Sequence, residues 1–211
     1  FQLISTSIEK KIVRIGHGCD NEVQFEILNV LNFSSERKRM SIIVRRENDQ
    51  KIIIYTKGAD CEILKRLNKD ALEKESTRLI KTGIEIFSKY GYRTLMVGYK
   101  EIVEKEYIVW SNELRIGEMN IGGKNLIIEK QYDIIEQNFE LLGATIVEDK
   151  LQDKVPETIK ALRNAGIKIW VLTGDKMDTV ENIGKSCNLI TNKERVFKIC
   201  VLNGNEEQVK D

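Results

Sequence analysis

The segment Thr173-Gly174-Asp175-Lys176 combines residue types that can bind an anion. It follows an apolar run, Ile167 to Leu172, that predicts a β-strand, and it opens a predicted helix, Asp178 to Cys187. A hydroxyl, a glycine and unpaired backbone N–H groups at a helix N-terminus attract phosphate, because the first turn presents free donors and a partial positive charge. The alternative is simple capping of the helix by Thr173 or Asp175.

A second junction of this kind is Lys57-Gly58-Ala59-Asp60, between a predicted strand and a short predicted helix. Gly58 allows another group to approach the backbone, and Lys57 supplies a compact cation. A plain turn with an exposed Lys57, and with Asp60 as a helix cap, explains the same residues.

The run from Phe33 to Ser41 places an aromatic ring beside three consecutive cations, Arg37-Lys38-Arg39. Stacking of a base on an aromatic ring contributes about 1 to 3 kcal/mol, and Arg suits phosphate geometry. Even millimolar affinity needs about 4 kcal/mol, so the ring must act together with charged contacts. The alternative places Phe33 in the core and makes the basic run a solvated loop.

Arg93 lies in Tyr92-Arg93-Thr94, directly after Gly91, at a predicted helix-to-strand turn. It adds one more cation to the residues that could contact phosphate. A plain surface arginine is the alternative.

The predicted elements that must position these residues fall into two parts with different sequence patterns. Up to about residue 140, β-branched runs alternate with turn residues and predict antiparallel strands, with the last two before residue 57 forming a hairpin. Helical spacing predicts one long helix from Asp70 to Tyr90, capped by Asp70 and ended by Gly91. The predicted strands are 11–15, 25–31, 41–46, 51–56 and 94–99, and two further helices between 104 and 138 break near Gly122-Gly123.

After Glu140 the pattern changes to strand, helix, strand, helix with short connections. The elements are a strand from Leu141 to Val147, a helix from Val155 to Ala165 with Pro156 in its first turn, the strand 167–172, and the helix after it. This order is typical of a parallel α/β sheet. The sequence therefore predicts an α+β fold in residues 1–140, an antiparallel sheet flanked by helices, and a partial α/β domain in residues 141–211.

Composition narrows the function. The 211 residues carry 34 Lys plus Arg against 33 Asp plus Glu, a net charge of +1, which argues against a nucleic-acid binder. One histidine and four scattered cysteines indicate neither a zinc site nor a disulfide framework. No apolar run approaches the roughly 18 residues of a membrane span, although a membrane parent is not excluded. Phe1 stands where an initiator methionine is expected, so we interpret the chain as a fragment.

Five motifs together, in order and approximate spacing, resemble the cytosolic part of a P-type ATPase of the phospholipid-transporting class (P4-type, flippase). The resemblance extends to about Ile190, and the strings Arg-Lys-Arg-Met-Ser and Glu-Asp-Lys-Leu-Gln favour flippases over ion pumps. The motifs are Phe33 to Ser41, Lys57 to Asp60, Gly91 to Leu95, Val147 to Gln152, and Ala165 to Lys176.

This resemblance implies roles for the candidate residues. Phe33 would stack on adenine, Lys57 would line the same pocket, and Arg93 would reach toward the ribose and phosphates. Residues 1–140 would be the nucleotide-binding domain and the rest a partial phosphorylation domain, of the haloacid-dehalogenase type. Its residues that hold the transferred phosphoryl group and Mg²⁺ would be Thr173, Gly174 and Asp175.

The implied activity belongs to a multi-pass membrane protein, with this part at the cytosolic face. Such a protein uses ATP and Mg²⁺, forms an aspartyl-phosphate, and moves a phospholipid between leaflets, commonly with a small membrane subunit as partner. The nucleophile motif Asp-Lys-Thr-Gly-Thr does not occur in the 211 residues, so we expect no turnover by this chain alone. A soluble haloacid-dehalogenase-type phosphatase and a non-catalytic nucleotide-binding module remain as alternatives.

Overall fold

The computed structural model describes residues 2–7, 12–16, 22–119, 124–148, 150–174, 177–191 and 194–199. The chain divides into two compact units. One comprises residues 1–84 and 94–146, and the other comprises residues 85–93 and 147–211.

The first unit is built on a seven-stranded sheet whose strands neighbour one another in chain order. Each pair from the first strand to the sixth is antiparallel, which confirms the predicted fold class for this part. The first strand was not predicted. The strands are β1 (Gln2–Ser7), β2 (Ile12–Gly16), β3 (Glu22–Leu31), β4 (Arg39–Arg46), β5 (Ile52–Gly58), β6 (Arg93–Ile102) and β7 (Glu140–Val147).

The predicted hairpin between β4 and β5 is confirmed, and a local ion pair stabilises its turn. Arg46 N–H donates to the Lys51 carbonyl at 2.9 Å. The Arg46 guanidinium donates to both carboxylate oxygens of Asp49, at 2.9 and 2.6 Å. Gln50, with φ of 57°, completes the reversal.

Five helices accompany the sheet: α1 (Asp60–Leu64), α2 (Lys69–Glu73), α3 (Glu75–Lys89), α4 (Glu104–Met119) and α5 (Lys124–Ile135). The core combines buried strand residues with buried residues of these helices. Its largest members include Leu31, Ile43, Ile54, Met96, Ile63, Trp110, Leu114, Ile135 and Phe139. Burial of one aliphatic side chain of this size stabilises the fold by roughly 1.5 to 3 kcal/mol.

The prediction of one helix from Asp70 to Tyr90 is wrong in its first turn. Lys74, with ψ of 135°, interrupts the helical backbone and separates α2 from α3. The N-cap of α2 is Asn68, whose side-chain oxygen accepts from Ala71 N–H at 2.7 Å, and not Asp70. Gly91 does end the long helix as predicted, with φ of +86°.

Strand register determines which residues share a face of the sheet. Directly opposite residues point the same way and successive residues alternate. Leu31, Ser41 and Thr56 lie opposite one another and are buried. Lys57, opposite Met40 on β4 and Val97 on β6, lies on the other face.

The second unit contains α6 (Val155–Asn164) and α7 (Met177–Ser186). Pro156 lies in the first turn of α6, and Gly166 follows its end with φ of +81°, as the sequence predicts. The predicted strand 167–172 is wrong, because residues 167–174 form no strand in the structure. Trp170 is 85% exposed and Leu172 98% exposed, so this apolar run has no sheet to join within the described residues.

The strand predicted to open the second domain instead lies beside β6 in the antiparallel sheet, as β7. The haloacid-dehalogenase-like character of the second part stays a prediction, and so does the division at residue 140. None of the helices in the described part of the chain has the length and apolar character that crossing a bilayer requires.

Candidate functional site

Phe33 lies at one end of the sheet, in the loop that joins β3 to β4. Its side chain is 62% exposed. The alternative that places this ring in the core is therefore wrong. Because most of its surface is in contact with water, the ring of Phe33 is available for stacking against a ligand.

Lys57 lies at the same end of the sheet, because β5 ends where β4 begins. Its side chain is exposed and projects from the face opposite to Ser41 and Thr56. This exposure fits both readings of Lys57, the plain turn and the nucleotide pocket, and its binding role stays a prediction.

A tight turn connects the Phe33 loop to this end of β5. Lys38 N–H donates to the Ser34 carbonyl at 2.8 Å, and Arg37 N–H donates to the Ser34 hydroxyl at 3.2 Å. Ala59 N–H donates to the Lys38 carbonyl at 3.0 Å. These bonds join residues 34–38 to the segment directly after Lys57.

Gly58 permits a close approach, as predicted, but the approaching group belongs to the chain itself. A Cβ at Gly58 would lie 2.5 Å from Arg39 Cβ and 2.7 Å from the Lys38 carbonyl oxygen. Asp60, two residues after Gly58, is not the predicted helix cap: Ala59 occupies the N-cap position of α1 and makes no side-chain cap bond. Asp60 accepts a hydrogen bond from Cys61 N–H at 2.9 Å.

The predicted phosphate-attracting patch of three cations is wrong for two of them. Arg37 is 8% exposed and Arg39 is 3% exposed, and both guanidiniums donate to Glu136, which is fully buried. Lys38, between them, is exposed and has φ of 52°. The alternation along the chain turns two side chains inward and the middle one outward.

Arg37 and Arg39 belong to a buried ionic cluster of three arginines and three carboxylates. Arg39 donates to Glu136 at 2.6 Å and to Asp133 at 2.5 Å. Arg66 donates to the same Asp133 oxygen at 3.0 Å. The members are Arg37, Arg39, Arg66, Glu62, Asp133 and Glu136.

The formal charges of these six groups sum to zero, which lets five of them lie together at low exposure while Asp133 is 58% exposed. Burial acts to raise the pKa of Asp133, but the hydrogen bond from Arg66 and the charge of Arg39 outweigh it and lower the pKa. Burial acts to lower the pKa of Arg66, and its bonds to Asp133 and Glu62 raise it instead. Both shifts favour the charged forms of Asp133 and Arg66.

Sequence reasoning missed the carboxylates of this cluster. Asp133 and Glu136 lie at the end of α5, more than ninety residues along the chain from Arg37 and Arg39. No local pattern links a helix end to a loop at that separation. The signal that the sequence did offer was the run of three adjacent cations, because adjacent cations in a protein of near-zero net charge can pair with carboxylates elsewhere in the chain.

The remaining predicted residues belong to the second unit. Arg93 begins β6 and is exposed, and Thr173 and Gly174 are exposed in the segment before α7. Asp175 lies outside the described residues. Whether these residues share a site with Phe33 stays a prediction. The part of the chain that the structure describes contains no group of three or more His, Cys, Asp and Glu suited to a metal ion.

Comparison with known proteins identifies the family to which this fold belongs. A family model described as P-type ATPase, cytoplasmic domain N, matches residues 6–154. The chain belongs to this family. Its compact first unit, with the antiparallel sheet and the exposed ring at its end, lies almost entirely within the matched residues.

Curated relatives indicate which class of P-type ATPase the chain resembles. The chain is 46% identical over 171 residues to Phospholipid-transporting ATPase IC of Mus musculus, covering 81% of the chain and 13% of that protein. It is 41% identical over 203 residues to Phospholipid-transporting ATPase 6 of Arabidopsis thaliana, covering 96% of the chain and 16% of that protein. The chain thus spans about one seventh of the length of these relatives.

Proposed function

We propose that this N domain binds ATP at the end of the sheet where Phe33 and Lys57 lie. The ring of Phe33 stacks on adenine, Lys57 lines the pocket, and Arg93 reaches toward the ribose and phosphates. The observation that carries the proposal is the 62% exposure of Phe33 beside an end of the sheet that also bears an exposed lysine.

Electrostatics support this assignment. The guanidiniums of Arg37 and Arg39 are neutralised by Glu136 and Asp133 together, so they contribute little field at the surface. Lys38 and Lys57 are the exposed cations of the two strand ends. A nucleotide phosphate would meet these two ammonium groups, which act as point charges on flexible stems.

For the whole protein we propose phospholipid transport driven by ATP hydrolysis, as the names of the relatives suggest. Thr173, Gly174 and Asp175 would hold the transferred phosphoryl group in a phosphorylation domain. The aspartate that accepts the phosphoryl group would come from elsewhere in the protein, since the Asp-Lys-Thr-Gly-Thr motif is not among these residues. The whole protein would lie in a membrane with this domain on the cytosolic face, and a small membrane subunit would be its partner.

In that scheme this chain contributes positioning rather than bond-breaking. Phosphoryl transfer depends mainly on alignment and charge neutralisation, and a stacked adenine fixes one end of the nucleotide. Mg²⁺ would be held with the transferred phosphoryl group at Thr173, Gly174 and Asp175.

Titration of the 211-residue chain with ATP, by calorimetry or by NMR, tests the binding proposal. We expect Phe33→Ala to weaken ATP binding by about fivefold to a hundredfold, which corresponds to the roughly 1–3 kcal/mol of one base stack. Phe197→Ala is the matched control, because that ring is 63% exposed and is not one of the proposed binding residues. Equal affinity of wild type and Phe33→Ala would overturn the stacking role.

The transport proposal needs the whole protein. Reconstituted in phospholipid vesicles, it should move labelled phospholipid between leaflets only when ATP and Mg²⁺ are present, and Phe33→Ala should raise the ATP concentration required. ATP hydrolysis that is indifferent to lipid would instead favour a soluble phosphatase activity.

A further inference from the structure

From the buried ionic cluster we infer that Glu136 and Arg37 are positioning residues for the Phe33 ring. They act on the ring through the backbone of Asn32 and make no contact with nucleotide themselves. The inference deepens the proposed function and rests on it.

Glu136 is the fixed end of this arrangement. It is fully buried directly after α5, between Ile135 and the core residue Phe139. One carboxylate oxygen accepts from Arg37 Nη2 and from the Ser41 hydroxyl, and the other accepts from Arg39 Nε at 2.6 Å. Ser41 is itself bonded to Thr56 at 2.8 Å, so the carboxylate is tied to β4 and β5 together.

Arg37 transmits this position to the Phe33 loop. While Nη2 binds Glu136, Nη1 donates to the carbonyl of Asn32 at 2.5 Å. The planar fork of a guanidinium fixes the relative placement of two acceptors, which a single ammonium does not do. The guanidinium also lies over the Tyr132 ring, 4.7 Å from its centroid, and this restricts its motion further.

Phe33 thereby lies between two anchored neighbours. Asn32 is held from one side by Arg37, and Ser34 accepts hydrogen bonds from Lys38 N–H and Arg37 N–H on the other. The ring itself is mostly exposed and has little packing to orient it. Its direction therefore depends on the backbone at 32–34, and a pre-oriented ring binds a base with a smaller loss of conformational entropy.

The test compares two arginines of the same cluster. Arg37→Met removes the link to Asn32 but keeps an apolar stem against Tyr132, and Glu136 retains Arg39 and Ser41 as donors. Arg66→Met removes a guanidinium from the far side of the cluster, where it binds Asp133 and Glu62. ATP affinity, urea unfolding and amide ¹⁵N order parameters are measured for both variants.

We expect Arg37→Met to weaken ATP binding about fivefold or more, and to lower the order parameters at Phe33 and Ser34 without nucleotide. Arg66→Met should change affinity less than about twofold at a comparable loss of stability. Arg37→Lys keeps a charge for Glu136 but loses the fork, so it should unfold near the wild-type midpoint and still bind ATP weakly. A loss of affinity that follows stability in both arginine variants would overturn the inference.

A double-mutant cycle separates positioning from any direct contact. In a Phe33→Ala background, Arg37→Met should change ATP affinity less than about twofold, because no ring remains to be oriented. An undiminished effect there would show that Arg37 acts on the nucleotide by another route. If Phe33→Ala itself leaves ATP binding unchanged, the proposed function fails, and the order parameters still decide whether Arg37 holds the loop.

Discussion

Arg39 Nε donates to Glu136 Oε2 at 2.6 Å across 97 residues of sequence, with both side chains almost fully buried. This bond joins the start of β4 to the end of α5. It turns what looks in the sequence like a phosphate-binding basic run into part of the structural core. The candidate stacking ring of the N domain thus lies next to an ionic cluster, and Lys38 is the exposed cation of the run from Arg37 to Arg39.

Glu136→Ala should be the most destabilising of the single substitutions considered. It leaves two buried guanidiniums without their shared carboxylate, and breaking a buried ion pair in this way costs about 3–5 kcal/mol. Urea unfolding followed by circular dichroism measures the loss. Glu129→Ala, at an exposed position on α5, should stay within about 0.5 kcal/mol of wild type. Equal effects at the two positions would contradict the burial argument.

Two glycine substitutions should shift stability in opposite directions. Gly58→Ala puts a Cβ 2.5 Å from Arg39 Cβ and should cost about 1–3 kcal/mol, because neither backbone can withdraw without breaking the β4–β5 ladder. Gly83→Ala, within α3, meets nothing within 4 Å and should stabilise by about 0.4–1 kcal/mol. Thermal unfolding midpoints check both signs, and a midpoint for Gly58→Ala at or above wild type would refute the close approach.

The start of α2 can be tested at Asn68. Asn68→Ala removes the cap bond to Ala71 N–H and should lower the free energy of unfolding by about 1 kcal/mol. Asp70→Ala should have a much smaller effect, because Asp70 already lies inside the first turn. The reverse order in a denaturation experiment would restore Asp70, the cap predicted from sequence.

The hairpin turn supplies a test of pH dependence. The hydrogen bond from Arg46 lowers the pKa of Asp49 from 3.8 to about 2. A depressed carboxylate stabilises the folded state above its unfolded pKa near 4, and that contribution disappears as pH falls toward about 2. NMR titration of the Asp49 carboxyl should show the low midpoint.

Arg46→Gln should return the Asp49 midpoint toward 3.8 and flatten the acid limb of stability. Arg45→Gln is the control, because Arg45 pairs with Glu104 at 2.9 Å and makes no bond to Asp49. A midpoint that stays near 2 in Arg46→Gln would mean that the backbone bond from Lys51, and not the ion pair, holds it down.

Local sequence was sufficient for much of the fold. Apolar and β-branched runs bounded by turn residues predicted six of the seven strands, β2 to β7, within a few residues. The polar tetrad Glu47 to Gln50 predicted the hairpin between β4 and β5. Gly91, Pro156 and Gly166 marked helix boundaries correctly, because each acts through its own backbone.

Tertiary structure alone decided where Arg37 and Arg39 point, which sheet receives β7, and that residues 167–172 form no strand. Alternation along the chain means that neighbouring side chains point to opposite sides, but it does not determine which side is buried. That choice depends on partners such as Asp133 and Glu136, which become neighbours only after α5 packs on the sheet. An apolar run becomes a strand only where a neighbouring strand can form backbone hydrogen bonds with it. The presence of that neighbour depends on the folded chain.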